Sequence, residues 1–125
     1  MSDAGTAATL GRRRILVVED EPLIGMLLED MLTDLGYEVA ASASRLDDAI
    51  KVAQEQQFHA AILDVNLNGH TIFPVAEILA QRRIPFLFAT GYGEKGLPEA
   101  FQQHPTLEKP FHQDALQVTL AGLLD

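Results

Sequence analysis

Short apolar runs recur along this chain of 125 residues, and four of them lead directly into a charged or hydroxyl side chain. The runs cover residues 15–18, 60–63, 85–89 and the short segment 107–108, and they lead to Glu19 with Asp20, to Asp64, to Thr90 and to Lys109. The first two runs are apolar at every position, which is typical of strands buried on both faces of a parallel sheet. We therefore interpret the four runs as strands of one sheet.

A helical pattern follows the first of these strands. Pro22 suits the first turn of a helix, and Gly36 is a natural stop for it. Between them lies an apolar stripe at helical spacing, formed by Leu23, Leu27, Met31 and Leu35 and widened by Ile24, Leu28 and Leu32. The pattern predicts one amphipathic helix that buries this stripe.

Two further helices and a second strand are predicted from shorter patterns. Residues 37–41 alternate weakly and are interpreted as the second strand. Ser44 and Asp47 have the spacing of a capping box, and the helix after them has an apolar face of Leu46, Ile50 and Ala53. After a short polar loop over residues 66–70, Thr71 is expected to cap a third helix with Ile72, Val75, Ile78 and Leu79 on its apolar face.

The complete order of elements predicts the fold class. Residues 112–124 form a last helix, whereas the glycines and prolines within residues 91–105 favour only a short or irregular fourth helix. Strand and helix thus alternate five times, which predicts an α/β fold with a parallel sheet between two layers of helices. Ligands of such sheets bind beyond the carboxyl ends of the strands, where the polar residues named above fall.

Composition limits the functions that fit this chain. A formal net charge of −9 makes direct binding to a nucleic-acid backbone unfavourable. The chain has no cysteine, which excludes disulfides, thiol catalysis and thiolate zinc sites. Because no apolar run is long enough for a membrane span or a signal peptide, we expect no membrane association and a cytoplasmic location. We predict a flexible tail over residues 1–12 and one domain over residues 13–125.

The polar residues at the strand ends form a set that can hold a divalent cation and accept a phosphoryl group. Mg²⁺ prefers oxygen ligands, and Mn²⁺ is the alternative ion. The predicted ligands are Asp20, Asp64, Glu19 directly or through water, and the backbone carbonyl of Asn66. Asp64 would attack phosphorus and become an acyl phosphate, while Lys109 and Thr90 would bind phosphoryl oxygens. Gly91 has no Cβ and leaves space for that approach.

The chain resembles the receiver domains of bacterial response regulators in two-component systems. The resemblance spans about residues 14–124 and is carried by Glu19, Asp20, Asp64, Thr90 and the pair Lys109 and Pro110. It implies a flavodoxin-like fold with strand order 2-1-3-4-5, Mg²⁺ dependence, and phosphorylation of Asp64 by a sensor histidine kinase. It also implies a cis peptide bond before Pro110.

Residues 88–92, with the sequence Phe-Ala-Thr-Gly-Tyr, resemble a receiver subgroup nicknamed FATGUY, whose members are mostly stand-alone proteins. This resemblance implies a reduced fourth helix and, as partner, a histidine kinase of the HWE or HisKA2 type. The aromatic switch residue usual in receivers is replaced here by Thr106. The switch is therefore predicted to use Thr90, Gly91 and Pro110, with Tyr92 as the substitute aromatic residue.

Three functions remain open from the sequence. The first is a phosphorylation switch or phosphate shuttle that acts through protein contacts and has no substrate other than its own phosphoryl group. The second is a binding module that keeps the fold and signals without phosphate. The third is a phosphohydrolase, although no separate general base is visible. The cognate kinase, the downstream protein, the oligomeric state, the lifetime of the phosphoryl group and any further domain are not given by the sequence.

Overall fold

The computed structural model describes residues 12–91 and 97–124, which form seven strands, four α-helices and one 3-10 turn. The strands are β1 (Arg14–Val18), β2 (Glu38–Ala43), β3 (Ala60–Asp64), β4 (Asn66–Leu67), β5 (His70–Thr71), β6 (Phe86–Thr90) and β7 (Thr106–Glu108). The α-helices are α1 (Pro22–Asp34), α2 (Leu46–Glu55), α3 (Phe73–Arg82) and α4 (Gln113–Leu124), and the 3-10 turn is Glu99–Phe101. The predicted tail lies almost wholly outside the described residues.

Five strands form one parallel sheet in the order β2-β1-β3-β6-β7. When the five main strands are numbered along the chain, this order is 2-1-3-4-5, so the predicted fold is confirmed. The central strands β3 and β6 are buried at every position, because helices cover both faces of the sheet. The carboxyl ends of these strands point to one edge, which positions the candidate site.

Two apolar clusters fill the space between sheet and helices. One contains Leu16, Val18 and Leu63 of the strands together with buried residues of α2 and α3. The other contains the alternate strand residues Ile15 and Val17 together with α1 and α4. The period of two along β1 therefore sends successive side chains to opposite cores.

The predicted orientation of α1 is wrong by part of a turn. Leu23 and Leu27, assigned to the main buried stripe, are 80% and 45% exposed. Leu28 and Leu32, predicted only to widen that stripe, are almost completely buried instead. Because apolar residues run around much of this helix, periodicity predicts the helix but does not select which stripe faces the sheet.

Both predicted helix caps are also wrong. Helix α2 begins after Arg45 as its N-cap, and no side chain caps it. Helix α3 begins after Ile72, again without a side-chain cap, while Thr71 belongs to strand β5. The polar loop expected over residues 66–70 is instead an antiparallel hairpin of β4 and β5, which uses Thr71 as a strand residue.

The connection between β6 and β7 contains one 3-10 turn in its described part, residues 97–105, as expected for a short or irregular fourth helix. Phe101 holds this turn on the sheet. Its ring stacks on Phe73 with centroids 5.6 Å apart and meets Phe88 edge-on at 5.8 Å. In the part of the chain that the structure describes, no helix is long and apolar enough to cross a bilayer.

Candidate functional site

The carboxyl edge of the sheet brings the predicted residues together. Asp64 and Thr90 are the last residues of β3 and β6, Asp20 follows β1, and Lys109 follows β7. All four border one cavity of about 670 Å³. Its other lining residues are Glu21, Val65, Asn66, Asn68, Gly69, Thr71 and Gly91.

Lys109 joins two of the carboxylates. Its Nζ lies 2.9 Å from Glu19 Oε2 and 3.0 Å from Asp64 Oδ2, and its side chain is only 18% exposed. Burial lowers the pKa of Lys109, but interactions with the Glu19 and Asp64 carboxylates outweigh burial and raise that pKa overall. The ammonium is therefore charged at neutral pH and points at the predicted phosphoryl acceptor.

Glu19 is the most deeply buried acid of the site. Burial raises the pKa of Glu19 from 4.5 to about 7, although the Lys109 ammonium and the backbone N–H of Glu21 act in the opposite direction. The N–H of Glu21 donates to Glu19 Oε1 at 3.1 Å. Glu19 Oε2 is buried and outside hydrogen-bonding geometry, so its contact with Lys109 is mainly Coulombic.

Asp20 is held by a residue far away in the sequence. The backbone N–H of Asn68 donates to Asp20 Oδ2 at 2.8 Å. Burial raises the pKa of Asp20, but this hydrogen bond and interactions with Glu19 and Asp64 lower it overall. Asp20 is thus maintained as a carboxylate, the form that a cation requires.

Asp64 is buried but borders the cavity. Its Oδ2 accepts from Lys109, and its Oδ1 accepts from the backbone N–H of Asn66 at 3.3 Å. Each oxygen of the Asp64 carboxylate thus accepts one of these two hydrogen bonds. The predicted phosphoryl acceptor is therefore held in one orientation at the cavity.

The oxygen donors fit a hard divalent cation. Carboxylate oxygens of Glu19, Asp20 and Glu21 lie within 4.8 Å of one another. Apart from its ion-pair contact with the Lys109 ammonium, the buried Glu19 Oε2 has no hydrogen-bond partner among the described residues, so a cation could satisfy it further. Mg²⁺ fits this all-oxygen set. Asn66 lines the cavity as well, and its carbonyl remains a predicted ligand.

Three residues near the candidate cation site are not among the site residues that the sequence predicts: Glu21, Asn68 and Gly69. The Glu21 carboxylate belongs to the same acidic group as those of Glu19 and Asp20. The structure has the hairpin of β4 and β5 where the sequence predicts a loop, although Asn68 and Gly69 form the dipeptide most typical of a two-residue hairpin turn. That dipeptide was the signal available in the sequence.

The predicted switch residues are only partly described. Thr90 is buried at the end of β6, and its carbonyl accepts from the backbone N–H of Lys109 at 3.1 Å. The peptide bond between Lys109 and Pro110 is cis, as the resemblance implied. Thr106 pairs with Phe88 across the sheet. Tyr92 lies outside the described residues, so its role stays a prediction.

An open parallel sheet with an acidic pair, an aspartate and a lysine at its carboxyl edge defines a class of signalling domains. The family model of the response regulator receiver domain matches residues 15–121. The chain therefore belongs to the family of response regulator receiver domains of two-component signalling. The resemblance seen in the sequence is confirmed.

Individual relatives agree with this assignment. The solution structure of SdrG from Sphingomonas melonis Fr1 is 43% identical, has a TM-score of 0.81, and covers 91% of this chain and 98% of SdrG. The chain is also 44% identical to SdrG from Pseudomonas melonis Fr1, whose BeF3-activated conformation superposes with a TM-score of 0.78. This match covers 90% of this chain and 96% of SdrG. Phyllosphere-induced regulator PhyR of Methylorubrum extorquens is 36% identical over 114 residues, which is 88% of this chain. The chain spans 43% of the length of PhyR and of the Mycobacterium tuberculosis regulator PdtaR.

Proposed function

We propose that this receiver domain is a phosphorylation-dependent signalling protein that accepts a phosphoryl group on Asp64 from a sensor histidine kinase. One observation carries the proposal: the buried Asp64 carboxylate is held 3.0 Å from the Lys109 ammonium in a cavity that Asp20 and Thr90 also line. Phosphoryl transfer needs positioning and charge stabilisation more than elaborate bond chemistry, and this arrangement supplies both.

The proposed step conserves atoms and electrons. An oxygen of the Asp64 carboxylate attacks the phosphorus of a phosphohistidine on the kinase, and a P–O bond forms as the P–N bond breaks. The leaving imidazole nitrogen keeps the bonding electron pair and takes up a proton from water. Lys109 and the Thr90 hydroxyl stabilise the charge on the phosphoryl oxygens.

Asp20, Asp64 and Glu19 are the proposed side-chain ligands of Mg²⁺, with the Asn66 carbonyl as a further ligand. When bound, Mg²⁺ supplies positive charge that offsets the carboxylates and the phosphoryl oxygens. Asp20 is already held as a carboxylate by the Asn68 N–H. Mn²⁺ is expected to substitute, because it also favours oxygen ligands.

The proposed output runs through protein contacts or by drawing phosphate from the kinase. Thr90 and Gly91 border the same cavity as the acceptor, and Pro110 follows Lys109 in the chain. These three residues are proposed to transmit the state of the acceptor, together with Tyr92. The similarity to SdrG, a BeF3-activated form of which is known, supports activation by a phosphoryl-like group. A kinase of the HWE or HisKA2 type is the proposed donor, and the cytoplasm is the proposed location.

The test uses a small phosphodonor. The protein is incubated with MgCl2 and phosphoramidate, whose P–N bond resembles that of phosphohistidine, and intact mass is followed over time. Wild type should gain one phosphoryl group, and Asp64→Asn should gain none. Asp114→Asn, the same change at an exposed site on α4, is the matched control and should react as wild type does. Lys109→Met should react about 100-fold more slowly.

Other results would select the alternatives. A wild type that gains no phosphoryl group, with or without Mg²⁺, would refute the proposal and favour the phosphate-independent binding module. Repeated turnover on unrelated phosphate esters would favour a phosphohydrolase. Phosphoryl gain that persists in EDTA would remove Mg²⁺ from the proposal.

A further inference from the structure

The hairpin of β4 and β5 turns in a geometry that few residues tolerate. Leu67 pairs with His70, so Asn68 and Gly69 are the two central residues of the turn. Both have positive φ angles, 51° for Asn68 and 86° for Gly69. Positive φ at both central positions characterises a type I′ turn, for which Asn followed by Gly is the preferred sequence. We call these two residues the 68–69 turn.

The 68–69 turn makes hydrogen bonds in three directions. The Asn68 N–H donates to Asp20 Oδ2 at 2.8 Å, and the Asn68 side-chain amide donates to the Ser44 carbonyl at 3.5 Å. The Gly69 N–H donates to Asn66 Oδ1 at 3.0 Å. The turn thus connects the acidic edge after β1, the loop before α2, and the residue predicted to offer its carbonyl to the cation.

Asp20 needs such an anchor. It is only partly buried, and an aspartate side chain at a loop position otherwise samples several rotamers. The Asn68 N–H engages Oδ2, one of the two carboxylate oxygens of Asp20. Groups that hold a metal ligand from outside commonly raise metal affinity by orienting the ligand in advance.

We propose that the 68–69 turn is a positioning element of the cation site, which holds the Asp20 carboxylate through the backbone N–H of Asn68. The inference rests on the proposed function, because it assumes that Asp20 binds Mg²⁺. It adds a structural requirement: the hairpin must keep its left-handed turn for the site to reach full Mg²⁺ affinity.

Gly69 allows the turn to be perturbed without a steric clash. Among the described residues, no heavy atom lies within 4 Å of a Cβ placed on Gly69, so Gly69→Ala adds backbone strain at positive φ. Gly69→Val should strain the turn more, because β-branched residues tolerate positive φ least. Gly69→Asn should restore the turn, because asparagine accepts this conformation.

Gly36 provides a matched control. Its φ is 92°, and in the part of the chain that the structure describes, no heavy atom lies within 4 Å of a Cβ placed there. Gly36 lies between α1 and β2 at the opposite edge of the sheet from the cavity. Gly36→Ala therefore applies a similar backbone strain to the fold without touching the site.

The measurement is the Mg²⁺ dissociation constant, obtained by following backbone amide resonances during a MgCl2 titration at constant ionic strength. Thermal unfolding in EDTA is recorded for every variant. Gly69→Ala should bind Mg²⁺ about tenfold more weakly than wild type, and Gly69→Val more weakly still. Gly69→Asn should bind as wild type does. Gly36→Ala should lose thermal stability but keep the wild-type dissociation constant.

Two results would overturn the inference: unchanged Mg²⁺ affinity in both Gly69→Ala and Gly69→Val, or an equal loss of affinity in Gly36→Ala. A wild type that does not bind Mg²⁺ would overturn it as well. Phosphorylation of Asp64 is measured in the same samples. Absence of a phosphoryl adduct in wild type refutes the proposed function, whereas the ratio of Mg²⁺ affinities decides the role of the turn separately.

Discussion

Replacing Glu19 with glutamine should stabilise the metal-free protein above neutral pH. The Glu19 side chain is only 2% exposed, and burial raises its pKa from 4.5 to about 7 in spite of the nearby Lys109 ammonium. Ionised Glu19 is therefore unfavourable in the folded state. Glutamine keeps the shape and an oxygen acceptor for the Glu21 N–H but cannot ionise.

The magnitude follows from linkage between protonation and folding. Because the folded pKa is raised, the contribution of Glu19 to stability is fully present below pH 4.5 and is lost as pH rises through about 7. A pKa shift of one unit corresponds to about 1.4 kcal/mol, so the shift of Glu19 lowers the free energy of unfolding by about 3 kcal/mol once the pH is above the folded pKa. Glu19→Gln should recover most of this at pH 8, which corresponds to about 10 °C in melting temperature for a domain of this size.

The assay is urea unfolding in EDTA from pH 4.5 to pH 8 for wild type and Glu19→Gln. The lower limit avoids acid titration of Asp20, whose lowered pKa makes its own contribution disappear only in more acidic solution. Relative to Glu19→Gln, wild type should lose stability as pH rises. His104, whose pKa is lowered by burial, changes stability in the opposite direction but equally in both proteins. Glu55→Gln, an exposed substitution of the same kind on α2, should follow wild type.

The reasoning fails if Glu19→Gln is no more stable than wild type at pH 8, or if both lose stability equally with pH. A second arm uses Mg²⁺. A cation that binds the ionised cluster should stabilise wild type at pH 8 more than Glu19→Gln, because the variant lacks one of the carboxylates.

Two further predictions concern stability alone. Gly25 lies within α1, and a Cβ there would meet Glu19 Cγ at 3.8 Å, an ordinary contact distance. Gly25→Ala should therefore raise the free energy of unfolding, measured in urea, by about 1 kcal/mol. A lower free energy of unfolding would reveal crowding at Glu19. Phe101→Ala should lower the free energy of unfolding by about 3 kcal/mol, because it removes the ring that packs on Phe73 and Phe88. A decrease of less than about 1 kcal/mol would show that the 3-10 turn is only weakly attached to the sheet.

Much of the fold and the core of the site could be predicted from local patterns. Continuous apolar runs identified β1 and β3, and the helical spacings identified α1 to α4. Parallel strands bring their carboxyl ends to one edge of the sheet. Because Asp20, Asp64, Thr90 and Lys109 follow the apolar runs, their positions sufficed to predict that they meet at one cavity. The family resemblance added the strand order and the cis bond before Pro110.

Hydrophobic periodicity could not predict which face of a helix is buried where more than one face has apolar residues at helical spacing. On α1, the stripe containing Leu23 and the stripe containing Leu28 both have helical spacing, and only packing against the sheet selected the second. The predicted side-chain caps of α2 and α3 were wrong for a related reason. A polar residue before a helix can cap it or serve a neighbouring element, as Thr71 does in β5.

By itself, the sequence determined the order of strands and helices and the residue types at the strand ends, because both depend on contacts between near neighbours along the chain. Tertiary structure alone decided the electrostatics of the site. The pKa of Glu19 depends on burial and on Lys109, and the state of Asp20 depends on an N–H that Asn68 brings to it. Such effects arise only when distant segments exclude water together and place charges and dipoles within a few ångströms of each other.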